Sequence, residues 1–323
     1  MGVNELVFEA ASAALADAGM SRREVDGVCL AASDQLDGRA ISSMQLAGPA
    51  GGYLRDEVKV GDDGALAIAV GTLRLEAGVS HRVLVVSWTK STESPPWAAV
   101  GVNPEPVYTR PTGLHPLVAE AAVAGSFAQR NGLPLDVFDD LARARAGGPT
   151  IEDTLISFPL RTIHLPKPTD AAVALLITTD PAEVELAGLA WGTEHADPMS
   201  RREAPESFLG AVARRAYAEA GLEISPDTAV ETTDRNVFRL CISVVGLGLV
   251  QSREAPATLL EGRLPQVNAS GGLWASNPVF AAGLERVAHA AGRVRAGATT
   301  AVGHSSYGMA GQGQFVAVLR TAS

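Results

Sequence analysis

The residues best placed for chemistry sit at a tight junction, Gly61, Asp62, Asp63 and Gly64, between a short strand at residues 58–60 and a helix that runs to Gly78. A strand-to-helix turn directs free backbone N–H groups, and the positive end of the helix dipole, at whatever lies before it. Two readings follow. Asp62 or Asp63 caps the helix and suits its dipole, or the junction is, or descends from, a reactive centre. Lys59, Lys90, Arg110, Lys167, Arg201 and Arg202 are cations that an anionic nucleotide would need, and each is equally at home solvated on the surface. Cys29 and Cys241 lie far apart in apolar contexts without metal-ligand spacing, which points to buried thiols in a reducing cytoplasm and to no metal site.

The elements that must hold these residues are legible from apolar spacing. Leu66, Val70 and Leu73 mark one helix face after the junction, and an apolar strand follows at 82–87. The chain opens on a helix with Leu6, Ala10, Ala13 and Ala14 on one side, stopped at Gly19, and a strand follows at 25–31. Residues 94–116 are rich in proline and glycine and too long for a simple connection. Helices are predicted at 117–129 and 135–145, with a short one opening at Thr150, and strands at 171–178 and 184–191. A helix at 205–220, a strand at 229–232, an apolar helix at 237–248, a short strand at 266–268, a helix at 278–291 and strands at 299–303 and 314–320 complete the chain.

With 323 residues, 46% hydrophobic and 19% charged, the chain can bury a large core in about two domains. Its formal net charge of -10 argues against a nucleic-acid partner or an anionic membrane surface. Neither a signal peptide nor a run long enough to span a bilayer is visible.

A repeat organises the chain. Residues 14–19, ALADAG, match residues 216–221, AYAEAG, and in both places an aspartate, Asp26 or Asp227, leads into a strand. Strand and helix alternate in each half, which implies parallel sheets with helices on both faces. The second half has a strand before its repeated helix, at 184–191; the first has no counterpart, so its sheet is expected to lack the opening strand.

The ALADAG and VDGV opening, the GALAIAVGTLRLEAG helix with its RVLVVS strand, the PLRTIHLPKPTDAAVALLIT passage and the VNASGG and NPVFAAGLERV segments together resemble the thiolase superfamily, in its sterol-carrier-type thiolase and lipid-transfer-protein-like branch. The resemblance covers nearly the whole chain. It implies an α/β thiolase fold of two related βαβ halves in a layered α-β-α-β-α sandwich, residues 1–183 and 184–323, with a loop and helical insertion at about 91–165. It also implies a dimer that binds acyl-CoA and needs no cofactor beyond CoA itself.

The family's nucleophilic cysteine falls at Gly61, followed by Asp62 and Asp63, and glycine cannot carry an acyl group. The family's histidine falls at Asn277, which can donate to an enolate oxygen but cannot shuttle a proton near neutral pH. A further motif falls on Thr233, Asp234, Arg235 and Asn236, of which only the aspartate matches one family version. The late acid/base cysteine falls near Tyr307, leaving His304 and Tyr307 as the expected proton-handling pair. Ser270, Gly271 and Gly272 match the glycine turn near the pantetheine arm or are simply a tight turn. Arg201 and Arg202 follow a loop like the family's CoA-side loop.

Two functions are consistent with these replacements. The first is a degenerate, cytoplasmic thiolase-like subunit, a pseudoenzyme that binds acyl-CoA or acyl-carrier thioesters, or assembles as a homodimer or with an active thiolase-like chain and an OB-fold/zinc-ribbon companion. The second is an acyl-CoA C–C lyase, a retro-aldolase or decarboxylase working without a cysteine, with Asn277 as oxyanion donor and Asp62, Asp63, His304 or Tyr307 handling the proton.

Overall fold

The computed structural model describes residues 1–38, 41–61, 63–147, 153–225 and 227–322. Helix α1 (Val3–Asp17) leads to β1 (Gly27–Ala31), the short helices α2 (Asp34–Asp37) and α3 (Ser43–Leu46), β2 (Asp56–Val60), α4 (Gly64–Glu76) and β3 (Arg82–Lys90). An excursion follows through α5 (Pro96–Val100), α6 (Pro116–Asn131), α7 (Asp136–Ala146) and the hairpin of β4 (Leu155–Ser157) and β5 (Leu160–Arg161), before β6 (Asp170–Thr178) returns to the sheet. The rest comprises β7 (Val184–Thr193), α8 (Pro205–Ala220), β8 (Ala229–Thr232), α9 (Val237–Gly246), α10 (Ala255–Leu260), α11 (Gly272–Ala275), α12 (Ala282–Arg295), β9 (Thr300–Tyr307) and β10 (Gly313–Thr321).

The fold is mixed α/β, and its two main sheets repeat one connectivity. Their strand orders are β2-β1-β3-β6 and β7-β10-β9-β8. In the first, β1 runs parallel to β2 and β3, and β6 is antiparallel to β3. In the second, β8 is parallel to β9, and β10 is antiparallel to both β9 and β7. Thus β1, β3 and β6 correspond to β8, β9 and β10, and a single parallel bridge from Val267 to Val230 takes the place of β2. The outer edges differ: β7 covers β10, whereas no described strand pairs with the far side of β6. Gly19 and Gly221, the last residues of the repeated sequence motif, both close their helices in the left-handed region, at φ +64° and +61°.

Burial follows the sequence pattern. Val3, Val7, Ala11 and Leu15 of α1 pack on Val28, Leu30, Leu84, Val86 and Trp88 of the first sheet. On the second sheet, α8 does the same through Leu209, Val212, Ala213 and Ala216. The first two turns of α4, residues 64–71, are apolar and mostly buried, while Leu73 and Glu76 near its end are exposed. The helix lies with α12 between the two sheets, the two helices packing on each other.

Some sequence expectations change, for physical reasons. The helix expected at 278 begins only at Ala282, because the chain before it is bonded to the first sheet. Thr89 Oγ1 donates to Pro278 O at 2.9 Å and accepts from Phe280 N at 3.0 Å, and Gly64 N donates to Phe280 O at 2.8 Å. The apolar helix expected at 237–248 stops at Gly246, and the strand expected at 299–303 runs on to Tyr307. Residues 94–116 contain α5 and a turn of 3-10 helix at Arg110–Thr112. The helix expected to open at Thr150 lies outside the described residues.

Two glycines set the approach of the halves. A β-carbon on Gly283 of α12 would overlap Asp63 Oδ1, and one on Gly64 would lie 2.7 Å from Leu284 Cβ and 2.8 Å from Ser87 Cβ. Gly283→Ala should therefore lower stability by about 1–3 kcal/mol in urea unfolding. Gly292→Ala on the same helix, where nothing lies within 4 Å, should be neutral or slightly stabilising. Equal effects of the two substitutions would contradict this packing.

Candidate functional site

The α4 N-terminus is where the first half meets the second. Asp63 is its N-cap, accepting a hydrogen bond from Ala65 N at 2.9 Å, and it is fully buried. Arg235, from the segment between β8 and α9, donates to its other oxygen at 3.3 Å. Gly61 is exposed just before the cap, and Asp62 lies outside the described residues. The two thiols are elsewhere, in the core. Burial pushes Cys29 up to about 11 and raises Cys241 further, so neither is a thiolate near neutral pH.

A narrow cleft of about 50 Å³ opens beside this junction. Trp97, Leu117, Val279, Phe280 and Met309 make its wall largely apolar, and Asn103, Glu120, Arg235 and Asn236 supply its polar groups. The bonds of residues 277–280 to β3 and α4 hold the Val279 and Phe280 wall. On the opposite side, Gly308, Met309 and Ala310 form the turn between β9 and β10, with Gly308 at φ +69° and Ala310 at φ +48°. That turn is fastened by Arg201, whose Nη1 donates to Ala310 O at 2.6 Å and Nη2 to Met309 O at 2.7 Å.

Behind the cleft lies a charge network. Asn236 caps α9 by accepting from Arg239 N at 2.8 Å. Its Nδ2 and Arg239 Nη2 both donate to Glu120 Oε2, at 3.2 and 2.9 Å. Arg239 is 1% exposed, and among the described residues its Nε and Nη1 meet no acceptor. Burial first, and then the neighbouring Arg239, hold Arg201 below the usual guanidinium range.

The structure distributes the residues expected to act here. His304 lies apart from the cleft. It is fully buried on β9 and does not line the cleft, and its ring is consumed by internal bonds. Gln314 Nε2 donates to Gly311 O at 2.9 Å, so Gln314 Oε1 must accept from His304 Nε2, also 2.9 Å away, while Thr232 Oγ1 donates to Nδ1 at 2.6 Å. Tyr307 ends β9 with its ring against Gly313 in the core, adjacent in sequence to the lining turn but not part of the lining. Asn277 donates from Nδ2 to Pro166 O at 3.2 Å, and its backbone pairs with Thr169. It joins the two halves.

Ser270, Gly271 and Gly272 form a turn away from the cleft lining. Ser270 Oγ donates to the buried Glu231 at 2.6 Å, and both glycines have positive φ. The space a Gly272 β-carbon would take is filled by Asp234 and Asn268. Arg202 is exposed.

Sequence reasoning overlooked Glu120 and Arg239. Arg239 carried a signal, because a single arginine inside the otherwise apolar run VFRLCISVVG must find a carboxylate when that helix is buried. Glu120 stands alone on the apolar, alanine-rich α6 and is that partner.

The state of His304 has a measurable consequence. Desolvation lowers its pKa from 6.5 to about 4, the Gln314 bond opposing and Arg239 assisting. Below about 6.5 the unfolded chain takes up a proton that the folded chain refuses, so this contribution is intact above 6.5 and is lost as pH falls through 4. Unfolding free energy should drop by about 3 kcal/mol from this residue over that window. His304→Asn should flatten the slope by up to one proton in urea titrations at successive pH values; an unchanged slope would contradict a buried neutral ring.

No protein-family model and no curated protein matches the sequence. Among solved structures, the chain is similar to one named "Ltp2-ChsH2(DUF35) aldolase", with a TM-score of 0.76 and 20% identity over 99% of this chain and 93% of that one. Likeness at this identity is likeness of fold, and it extends over the whole chain.

Proposed function

We propose that this chain is a thiolase-fold subunit of the lipid-transfer-protein-like branch that binds an acyl thioester of CoA or of an acyl carrier, without forming a covalent intermediate. The observation that carries this reading is the occupant of the α4 N-terminus. Where the fold's nucleophile is expected, the chain has a glycine, Gly61, and then a buried aspartate locked to Ala65 N and Arg235. Two sheets of one connectivity, with α4 and α12 between them and α1 and α8 outside, support the layered sandwich of residues 1–183 and 184–323.

The apolar wall with few polar groups suits the thioester head and first carbons of an acyl group, which is as much as about 50 Å³ admits. Lys167 is exposed two residues from the lining residue Leu165, where the phosphates of a CoA would find a cation. Assembly with a second thiolase-like chain, or with an OB-fold/zinc-ribbon protein, is supported by the similar structure, whose name joins two components, Ltp2 and ChsH2. The exposed Met44, Tyr53 and Leu54 are apolar surface of the kind a partner covers.

A second reading, C–C cleavage of a 3-hydroxyacyl thioester without a nucleophile, is favoured by the naming of that similar structure as an aldolase and by a carboxylate, Glu120, lining the cleft. With His304 inside the core, Glu120 replaces it as the proton acceptor in this reading.

Equilibrium dialysis with a medium-chain acyl-CoA, followed by intact-mass analysis, separates these ideas from thiolase chemistry. Binding without a mass increase on the polypeptide is expected. An acyl adduct, or no binding at all, would overturn the proposal. Incubation with a 3-hydroxyacyl-CoA then decides between the readings, because only the second yields a shortened thioester and an aldehyde or ketone.

A further inference from the structure

The two halves differ at one sheet edge. In the second half β7 lies beside β10 and under α8, whereas no described strand lies beside β6, the counterpart of β10, under α1. The repeated motif sets residues 3–17 of α1 against residues 205–219 of α8. Leu6, Ala10 and Ala14 then correspond to Phe208, Val212 and Ala216, the row of α8 that covers β7. A β-carbon on Gly192 of β7 would lie 3.2 Å from Val212 and 3.4 Å from Phe208, and one on Gly188 would lie 2.2 Å from Ala216 O. Val212 and Ala216 are buried there, while Ala10 and Ala14 are only half-buried.

The strand β6 also lacks the devices of an edge strand. Exposed edges are ordinarily blunted by charge, proline, a bulge or a covering side chain. On β7, Glu185 pairs with Arg320, the register shifts opposite Val318 and Leu319, Glu219 accepts from Leu189 N at 2.8 Å, and Arg215 donates to Trp191 O at 3.3 Å. Residues 171–177 of β6 read AAVALLI, their register with β3 is unbroken, and no described residue bonds to their outward backbone. Val173, Leu175 and Ile177 face the core between the sheets, and Ala172, Ala174 and Leu176 face α1. Apolar on both faces and uncharged along its length, β6 has the pattern of an interior strand.

We infer that the free edge of β6 docks one extended segment of a partner protein by strand addition, antiparallel to β6 and under α1, as β7 lies antiparallel to β10 and under α8. A second copy of this chain does not fit through its own β6, because the row Leu6, Ala10 and Ala14 already overhangs the place of the added strand. Two such edges would bring two α1 helices into one space. The segment matches β7, which is ten residues long. Toward α1 it is small, where β7 has Gly188, Ala190 and Gly192, and toward the core it is bulky, where β7 has Leu186, Leu189 and Trp191. Because α1 has leucine and alanine where α8 has Phe208 and Val212, the position under Ala10 admits alanine or valine in place of glycine. The segment is flanked by lysine or arginine, since α1 presents Glu5, Glu9 and Asp17 to solvent and carries no cation. None of this depends on the thioester reading.

The probe is a synthetic peptide copying residues 184–193 with two lysines at each end, added to the full-length protein and followed by hydrogen exchange. In the free protein, outward amides within residues 171–177 should exchange about tenfold or more faster than amides of residues 315–319 in β10, and saturating peptide should slow them by a similar factor. The same peptide N-methylated at alternate residues, on the edge that meets β6, should give no protection. Ala10→Trp, which fills the place of the strand, should abolish protection with circular dichroism unchanged; if that variant does not fold, the N-methylated peptide still decides. Protection elsewhere, no protection at all, or equal protection by the N-methylated peptide would overturn the inference. So would slow exchange of residues 171–177 in a free protein that sediments as a dimer, which would make a second copy the occupant.

Discussion

A carboxylate buried at a helix N-terminus organises this molecule. Asp63 caps α4 and meets Arg235 from the other half, in a space that exists only because Gly283 has no side chain. A buried ion pair is a poor source of net stability, since desolvation offsets most of its attraction. Its value is positional. Removing either partner would strand a charge between the sheets, so α4, α12 and the segment before α9 are held in one relative placement, and the cleft is the gap that this placement leaves.

The same interaction limits the chemistry. Helix N-termini favour anions, and a thiolate placed there is activated by the dipole and the free amides. Here the dipole is answered by a carboxylate that already has its partners, and both cysteines sit in the core with raised pKa values. The polar residues lining the cleft are Asn103, Glu120, Arg235 and Asn236, none of them a thiol.

Much of this was visible in the sequence. The repeated ALADAG and AYAEAG motifs marked equivalent helices that end on left-handed glycines, but the parallel sheets expected from the alternating elements are mixed, because β6 and β10 return antiparallel to β3 and β9. The cap at Asp63 followed from its position before an apolar run. What could not be read were contacts set by tertiary packing. His304 looked available because a histidine at a strand end carries no mark of burial, and its ring is enclosed by Thr232 and Gln314 from two other strands. Residues 278–281 looked helical because their bonds to Thr89 and Gly64 cross about two hundred residues of sequence. Glu120 was passed over because its role depends on Arg239, 119 residues away.

The most direct test of the account is a crystal structure of the protein soaked with a non-hydrolysable acyl-CoA analogue. The account predicts the analogue's acyl end in the cleft lined by Glu120 and Arg235, with no covalent bond to the chain and with Asp63 still on Arg235. A ligand bonded to a side chain at the α4 N-terminus, or seated away from this cleft altogether, would contradict it.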